Sequence, residues 1–422
     1  MLKKSNAWLW IPTLYFASGL PYHAITSISD IMYKDMGISN AQIALYTSLL
    51  LIPWTIKPLW SPIVEMISTR RKWTLASQLL LAACFAIIAL VIPSSHFLTL
   101  TLIAFFIGAF VSSTHDIALD GFYILGLPQE KQSFFSGIRN TFYRIATVFS
   151  SGILVMLAGS IANKSNNPEL AWSTTFAVTG IIMLALYLYN SKAMPKPQRD
   201  TSRKVGIKGA FANYGDIIKT YFQKPGILQA ILFLLLFRFP EAQLGKMSKL
   251  FLMDPTGTGG LALDKGDIGF IYGVVGVIGL IIGGIVGGIC ISRKGLKYWL
   301  WPMVIAISLP DAVYIYMSMA QPDNLYIVGS CIFIEQLGYG FGFTAYTLYM
   351  IYFAQGKYPT AHFAISTAFM SLGMMLPGMF AGQLQEWWGY ENFFIWVTAC
   401  TVITFAVSAI IKIDPGFGKR QK

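Results

Sequence analysis

Twelve apolar stretches, each close to twenty residues or longer, recur along this chain: 7–33, 41–64, 73–93, 97–125, 133–159, 171–190, 226–250, 266–291, 297–319, 325–354, 361–384 and 392–411. A hydrocarbon layer about 30 Å thick is crossed by roughly 20 helical residues. Inside it every backbone N–H and C=O needs an internal partner, which leaves helices or closed barrels. Stretches of this length are too long for barrel strands, so they predict helices. Composition agrees. Only 12% of the 422 residues are charged and 55% are hydrophobic, against about 25% charged in a soluble domain. The expectation is an all-α membrane protein with twelve transmembrane helices.

Most joins between stretches are short, but residues 191–224 form a long basic linker. It divides the chain into a bundle at 1–190, the cytoplasmic linker, and a bundle with its tail at 225–422. Within the linker, KGAFANYGDIIKTYF reads as a surface amphipathic helix. With both termini in the cytoplasm, most of the 31 lysines and arginines fall on that side, leaving Lys34, Lys164, Lys246, Lys249 and Lys265 opposite. This is the positive-inside bias. It explains the net charge of +12 through topology, with no nucleic-acid partner. The opening MLKKSNAWLWIPTLYFASGLP lacks a clear small-residue cleavage site, so it reads as the first span and not as a removed leader. Cys84, Cys290, Cys331 and Cys400 stand singly in apolar runs, which predicts no disulfide and no metal.

The join after the second stretch reads SPIVEMISTRRK and that after the eighth reads GICISRKG. Both fall at the same place in their half and resemble the loop signature G-x-x-x-D-R-x-G-R-R of the major facilitator transporters. The second copy keeps Gly288, Arg293 and Gly295; the first has Ser61, Glu65 and Met66 in place of Gly, Asp and Arg. The resemblance implies two pseudo-symmetric six-helix bundles with the solute near the membrane midplane. Glu65, Arg70, Arg71 and Arg293 are then gating candidates.

Charges inside the apolar stretches cost about 2.5–3.5 kcal/mol each on insertion scales, so each demands a partner, a cavity or a function. Asp116 and Asp120 are four residues apart on one helix face. Their rise matches Arg144 and Arg139 on the next stretch, which predicts the pairs Asp116–Arg144 and Asp120–Arg139, or a pair between Asp120 and Arg70 or Arg71. A proton-coupling role for Asp116 and Asp120 stands beside structural pairing. His115 reads as a packed histidine or a third member of that cluster. Glu335, near mid-stretch beside Gln336, is a further proton-coupling candidate. Arg238 and Glu241 flank Pro240 at i and i+3, where a proline-broken helix can line a cavity. With His23, Arg144, Gln336 and Tyr346 they form the substrate-binding set; the GLP before His23 reads as a helix break. Lys57 reads as a snorkelling lysine, and Asp311, after Pro310, as the point where the ninth stretch is capped or broken. No phosphate-binding glycine loop and no nucleophile–base motif occurs, so ATP coupling and enzymatic activity are not expected, nor is a cofactor.

FASGLP at 16–21, IKPLWSP at 56–62, THDIALDGF at 114–122, FRFPEA at 237–242 and YPTAHFAISTAFMSLG at 358–373 resemble the AmpG-type muropeptide permeases and the wider peptide and acetyl-CoA transporter branch of the facilitators. The resemblance covers nearly all the chain, although better-known bacterial members carry two further spans. It implies proton symport of anhydro-muropeptides (amino-sugar disaccharides with or without peptide) into the cytoplasm across a bacterial inner membrane, by a monomer. Its intramembrane aspartate matches Asp116 or Asp120, and its charged pair matches Arg238 and Glu241. The alternative is a facilitator for another sugar or oligosaccharide, or a drug–proton antiporter.

Overall fold

The computed structural model describes residues 6–61, 64, 67–127, 129–197, 200 and 214–419. Among these, the regular structure is helical throughout. α1 (Ile11–His23) runs through a π-helical turn at Ala24–Ile28 into α2 (Ser29–Asp35), followed by α3 (Asn40–Leu49) and α4 (Ile52–Ile56). Next come α5 (Arg70–Val91), α6 (Phe97–Gly126) and α7 (Gln129–Val148), then a second π-helical turn, α8 (Val155–Ser165) and α9 (Pro168–Ala193). After the linker stand α10 (Tyr214–Phe222), α11 (Ile227–Leu236) and α12 (Phe239–Met253). α13 (Lys265–Phe270) leads through a third π-helical turn into α14 (Val277–Lys294); α15 (Leu296–Ser308) meets α16 (Val313–Ala320) across a 3-10 turn. α17 (Leu325–Ala354) and α18 (Pro359–Ile410) complete the chain.

Eight helices among the described residues are long and apolar enough to cross a bilayer. One of these, α18, holds two expected spans, because Gly389 at φ 74° interrupts it. A β-carbon disfavours that conformation, so glycine is where the helix can turn. The other expected spans, 7–33, 41–64 and 325–354, are also helical over most of their described residues. The protein is therefore an all-α, multi-pass membrane protein. Helix ends follow local chemistry: Thr69, Asn167 and Asn324 accept from the backbone of Lys72, Leu170 and Tyr326 at 3.2, 3.0 and 2.9 Å, satisfying first-turn amides.

The helices form two compact units. The first comprises Met1–Met32 with Ile56–Tyr214, and the second Tyr33–Thr55 with Gly215–Lys422. In the first, α5 packs on α6 and α9, and α1 on α7. Trp10, Leu14, Tyr15, Leu119 and Phe122 form a buried cluster there. In the second, α14 packs on α17, and α18 on α3 and α12. Lipid is as apolar as leucine, so helix association in a membrane rests on close packing and hydrogen bonds. α14 shows the packing. Ile278, Ile282, Ile285 and Ile289 are exposed along one side. Gly279, Gly283 and Gly287 lie on the other, where an added Cβ would strike the backbone of Phe333, Leu337 and Phe341 of α17.

Hydrogen bonds hold Tyr33–Thr55 in the second unit. Lys34 forms an ion pair with Asp254, and Lys265 with Asp35 at 2.7 Å. The Asn40 amide lies 3.0 Å from Asp254 Oδ2, 2.7 Å from Gln385 Oε1 and 3.0 Å from Tyr390 Oη. α10 differs from the expected lipid-surface helix over its described residues. Tyr221 is buried with its hydroxyl 3.0 Å from Ser366 Oγ, and Asp216 accepts from Lys357 at 2.9 Å and Tyr358 at 2.8 Å. An apolar face with a phenol that finds a partner docks on protein in preference to lipid headgroups.

Candidate functional site

In the first unit Asp116, Asp120 and Arg139 meet side chains of α1. Tyr15, Ser18 and Tyr22 recur at helical spacing and share a face. Tyr15 Oη donates to Asp120 Oδ1 at 3.3 Å, and Arg139 Nη1 donates to Tyr15 Oη at 3.3 Å. Arg139 Nη1 stands 3.6 Å from Asp120 Oδ1. Its guanidinium lies 5.2 Å from the ring centres of both Tyr15 and Tyr123. Two aromatic faces and one carboxylate thus hold a cation at membrane depth, each face contributing about 0.5–2 kcal/mol. Tyr15 was not among the sequence candidates; its signal was the α1 register shared with Ser18 and Tyr22.

Asp116 departs from the expected pairing. It accepts from Ser18 Oγ at 2.6 Å, and no ion pair joins it to Arg144 among the described residues. The reason is that α1, which the rise-matching of two neighbouring spans left out, brings a hydroxyl to the carboxylate first. Arg144 is half-buried and forms no ion pair among the described residues. His23 Nε2 lies 2.7 Å from Thr147 Oγ1, with its ring edge-on to Tyr22 and Tyr143. The expected GLP break before His23 is absent: α1 carries Pro21 inside it. The contact with α7 is close there, since a Cβ on Gly19 would meet Ala146 and Tyr143. His115 is wholly buried, with Nε2 3.2 Å from Gln78 Nε2. Gln78 in turn accepts from Asn190 at 3.2 Å, so the histidine belongs to a polar network between helices.

The loop arginines act on helix ends. Asp200 accepts from the backbone amides of Arg70 and Arg71 at 2.9 and 3.0 Å, placing a carboxylate at the positive end of α5. Arg71 donates to the carbonyls of Ser191 at 2.5 Å and Met194 at 3.4 Å, where α9 ends. The Arg70 side chain lies over Gly121, where a Cβ would collide with it. Arg293 is exposed in the last turn of α14. Glu65 lies outside the described residues.

In the second unit the helix breaks at Phe237 and Arg238, the two residues between α11 and α12, with Pro240 in the first turn of α12. Proline supplies no N–H, and the break frees carbonyls at membrane depth. Side chains take them up: Tyr346 Oη donates to Leu234 O at 2.5 Å, and Thr404 Oγ1 to Phe237 O at 3.0 Å. Tyr346 is wholly buried, so its hydroxyl is committed to the backbone and has no surface open to a solute in this conformation. Arg238 Nε and Nη2 donate to Glu241 at 2.5 and 2.9 Å, the bidentate geometry that favours guanidinium over ammonium. Arg238 Nη2 also donates to Tyr339 Oη at 2.8 Å, and the guanidinium lies 4.8 Å from the Phe343 ring centre. Glu335, 4% exposed, receives the Gln336 amide at 2.9 and 3.2 Å. Together these residues place guanidinium and hydroxyl donors beside carboxylate acceptors within the apolar stretches. Among the described residues no group of three or more His, Cys, Asp or Glu is arranged to hold a metal ion.

A family model described as Major Facilitator Superfamily matches residues 13–381. The chain is 24% identical over 396 residues to the anhydromuropeptide permease of Escherichia coli K12, covering 92% of this chain and 76% of that one. It is 26% identical over 399 residues to putative transporter AmpG 4 of Rickettsia conorii, covering 90% and 91%. Its fold is similar to that of a D-xylose–proton symporter, with TM-score 0.74 at 12% identity over 97% of this chain and 98% of that one. The nucleoside transporter NupG (D323A mutant) aligns with TM-score 0.69 at 14% identity, over 96% and 100%. Eight bilayer-length apolar helices among the described residues, rare charges held by aromatic rings and hydroxyls, and a family match over most of its length make this chain a membrane transporter, not an enzyme, of the Major Facilitator Superfamily.

Proposed function

We propose that this protein is a proton-coupled importer of peptidoglycan-derived anhydro-muropeptides across a bacterial inner membrane, with both termini cytoplasmic. The likeness to an anhydromuropeptide permease over 92% of the chain carries the reading, and the chemistry of the charged groups supports it. Muropeptides bear carboxylates and amide-substituted sugars. Arg144, half-buried and outside any ion pair among the described residues, binds a solute carboxylate; His23 and Gln336 hydrogen-bond the sugar amides and hydroxyls. Asp116 accepts from Ser18 Oγ at 2.6 Å and takes up the proton that drives accumulation. Asp120, tied to Arg139 and Tyr15, is the more structural of the two acids. Arg238 and Glu241 brace the broken helix from which substrate contacts are made. The linker 191–224 separates the two repeats of a protein that works as a monomer.

Purified protein in liposomes, with an inward proton gradient, is expected to accumulate anhydro-muropeptide, and Asp116→Asn to equilibrate it without accumulation. Uptake of a sugar or drug in place of muropeptide in a competition panel would move the protein to another substrate class. Accumulation unchanged in Asp116→Asn would remove that residue from the coupling step.

A further inference from the structure

The chain does not leave the second unit where α18 ends at Ile410. Ile411 and Ile413 are buried in a cluster with Ile291, Leu296 and Leu300. Two tight turns follow: Phe417 N donates to Asp414 O at 3.1 Å and Lys419 N to Gly416 O at 3.2 Å. The first is fixed by Asp414 Oδ1, which accepts from Gly416 N at 2.6 Å. The turns set the Phe417 carbonyl 3.0 Å from the amide of Leu296, the first residue of α15. The Phe417 ring lies edge-on to Tyr352, near the end of α17, with 4.9 Å between centres.

Two glycines seat this segment. Gly295, the residue before α15, has φ 88°, and a Cβ there would come within 3.1 Å of the carbonyl oxygens of Pro415 and Phe417. Gly418 has φ 82°, and its Cβ would lie 2.8 Å from Ile291. α15 has no side-chain cap. Ser292, at the Asp position of the loop signature, turns its hydroxyl back to Ile289 O at 2.8 Å. The Phe417 carbonyl therefore supplies the acceptor that a first-turn amide needs. The first unit repeats the arrangement in the same register. Asp200 lies seven residues past the end of α9 at Ala193, and Phe417 seven past the end of α18. Asp200 accepts from the amides of Arg70 and Arg71, where α5 begins after the other signature loop. One acceptor is a carboxylate and the other a backbone carbonyl, so what recurs is the contact and not a residue type.

We propose that residues 411–419 act as a strap on the α14–α15 loop, so that this loop, which carries Arg293, cannot open until the tail undocks. Segments that move in a working protein are drawn from its less stable parts. The strap stabilises this one through a backbone hydrogen bond, a ring pair and two buried isoleucines, all lost together on undocking. Loop and tail therefore open as one cooperative unit. Gly295, kept from the loop signature, is the seat on which the tail rests. The device does not depend on which solute is carried.

The test is amide hydrogen exchange of the purified full-length protein in detergent, read by mass spectrometry on peptides covering 294–300 and 412–419. In the wild type both are expected to be protected and to lose protection together as denaturant is added. Gly418→Val drives a side chain into Ile291; Phe417→Ala keeps the carbonyl but takes the ring away from Tyr352. Each should speed exchange in both peptides about tenfold, the order expected for the loss of one such contact. Gly288→Ala, with nothing within 4 Å of its Cβ position, should leave both unchanged. A wild-type tail that exchanges freely while 294–300 stays protected would overturn the proposal, as would unchanged exchange at 294–300 in both strap variants. Phe417→Ala keeps the test decisive if Gly418→Val does not fold. In liposomes under an inward proton gradient, both variants should accumulate anhydro-muropeptide severalfold less than the wild type. Equal accumulation with faster exchange would show packing without control of the loop, and would overturn the proposal too. Absence of uptake by the wild type would count against muropeptide import alone, because the exchange arm needs no solute.

Discussion

Tyr346 Oη donates to the carbonyl of Leu234 at 2.5 Å, replacing the helical amide that would have occupied it had α11 continued through Arg238. A tyrosine on α17 thereby satisfies a carbonyl freed where the helix breaks in the membrane. Tyr346→Phe keeps the ring packed against Phe237, 5.1 Å between centres, and orphans one buried carbonyl. The expected cost is about 1–3 kcal/mol, read as a lowered thermal midpoint in detergent. Substrate affinity should change little; a loss of affinity with unchanged midpoint would return the hydroxyl to the solute.

Arg238 and Glu241 are expected to fail asymmetrically. Glu241→Gln keeps a hydrogen-bonding partner for the guanidinium, and Tyr339 retains its contact. Arg238→Ala leaves the largely buried Glu241 carboxylate without its guanidinium partner, which costs about 3–5 kcal/mol. Thermal unfolding of both variants should therefore rank Arg238→Ala well below Glu241→Gln, and Arg238→Lys between them because ammonium cannot form the bidentate fork. Equal midpoints for Arg238→Ala and the wild type would show the pair to be energetically idle.

Gly283→Ala should destabilise the α14–α17 contact. The added methyl meets the carbonyl of Leu337 and the amide of Phe341, both backbone, so relief requires the helices to separate and not a side chain to turn. Overpacking of this kind costs about 1–3 kcal/mol. Gly288→Ala is the control, since nothing lies within 4 Å of its Cβ position. Thermal midpoints that do not separate the two variants would refute the close-packing role of the glycine stripe.

The clasp between α10 and the turn before α18 is expected to release in acid. Hydrogen bonds from Lys357 and Tyr358 hold the Asp216 carboxyl below its ordinary range, and the same contact holds Lys357 above its own. A depressed carboxyl contributes its stability above the unfolded value, about 3.9, and loses it as pH falls through the lower folded one. The raised lysine contributes below about 10.4 and loses its share as pH rises through its folded value. Limited proteolysis within 214–224 should stay slow between those limits and quicken below pH 4. Asp216→Asn should show the faster cleavage at neutral pH as well. Cleavage independent of pH in the wild type would show that the clasp does not hold α10.

The sequence by itself determined the number and nature of the spans, because apolar length against bilayer thickness admits few answers, and it singled out the charged residues, because each is costly where it lies. The helix break at Arg238 was legible too, since Pro240 cannot supply the missing amide. Partnership was decided only in three dimensions. Ser18 reaches Asp116 before Arg144 does, Tyr15 completes the cradle of Arg139, and Asp200 caps α5 from far along the chain. Each is a contact between helices distant in sequence, whose rotation about their own axes is set by packing of small residues and rings. Depth in a membrane can be counted along a helix; azimuth depends on every neighbour at once.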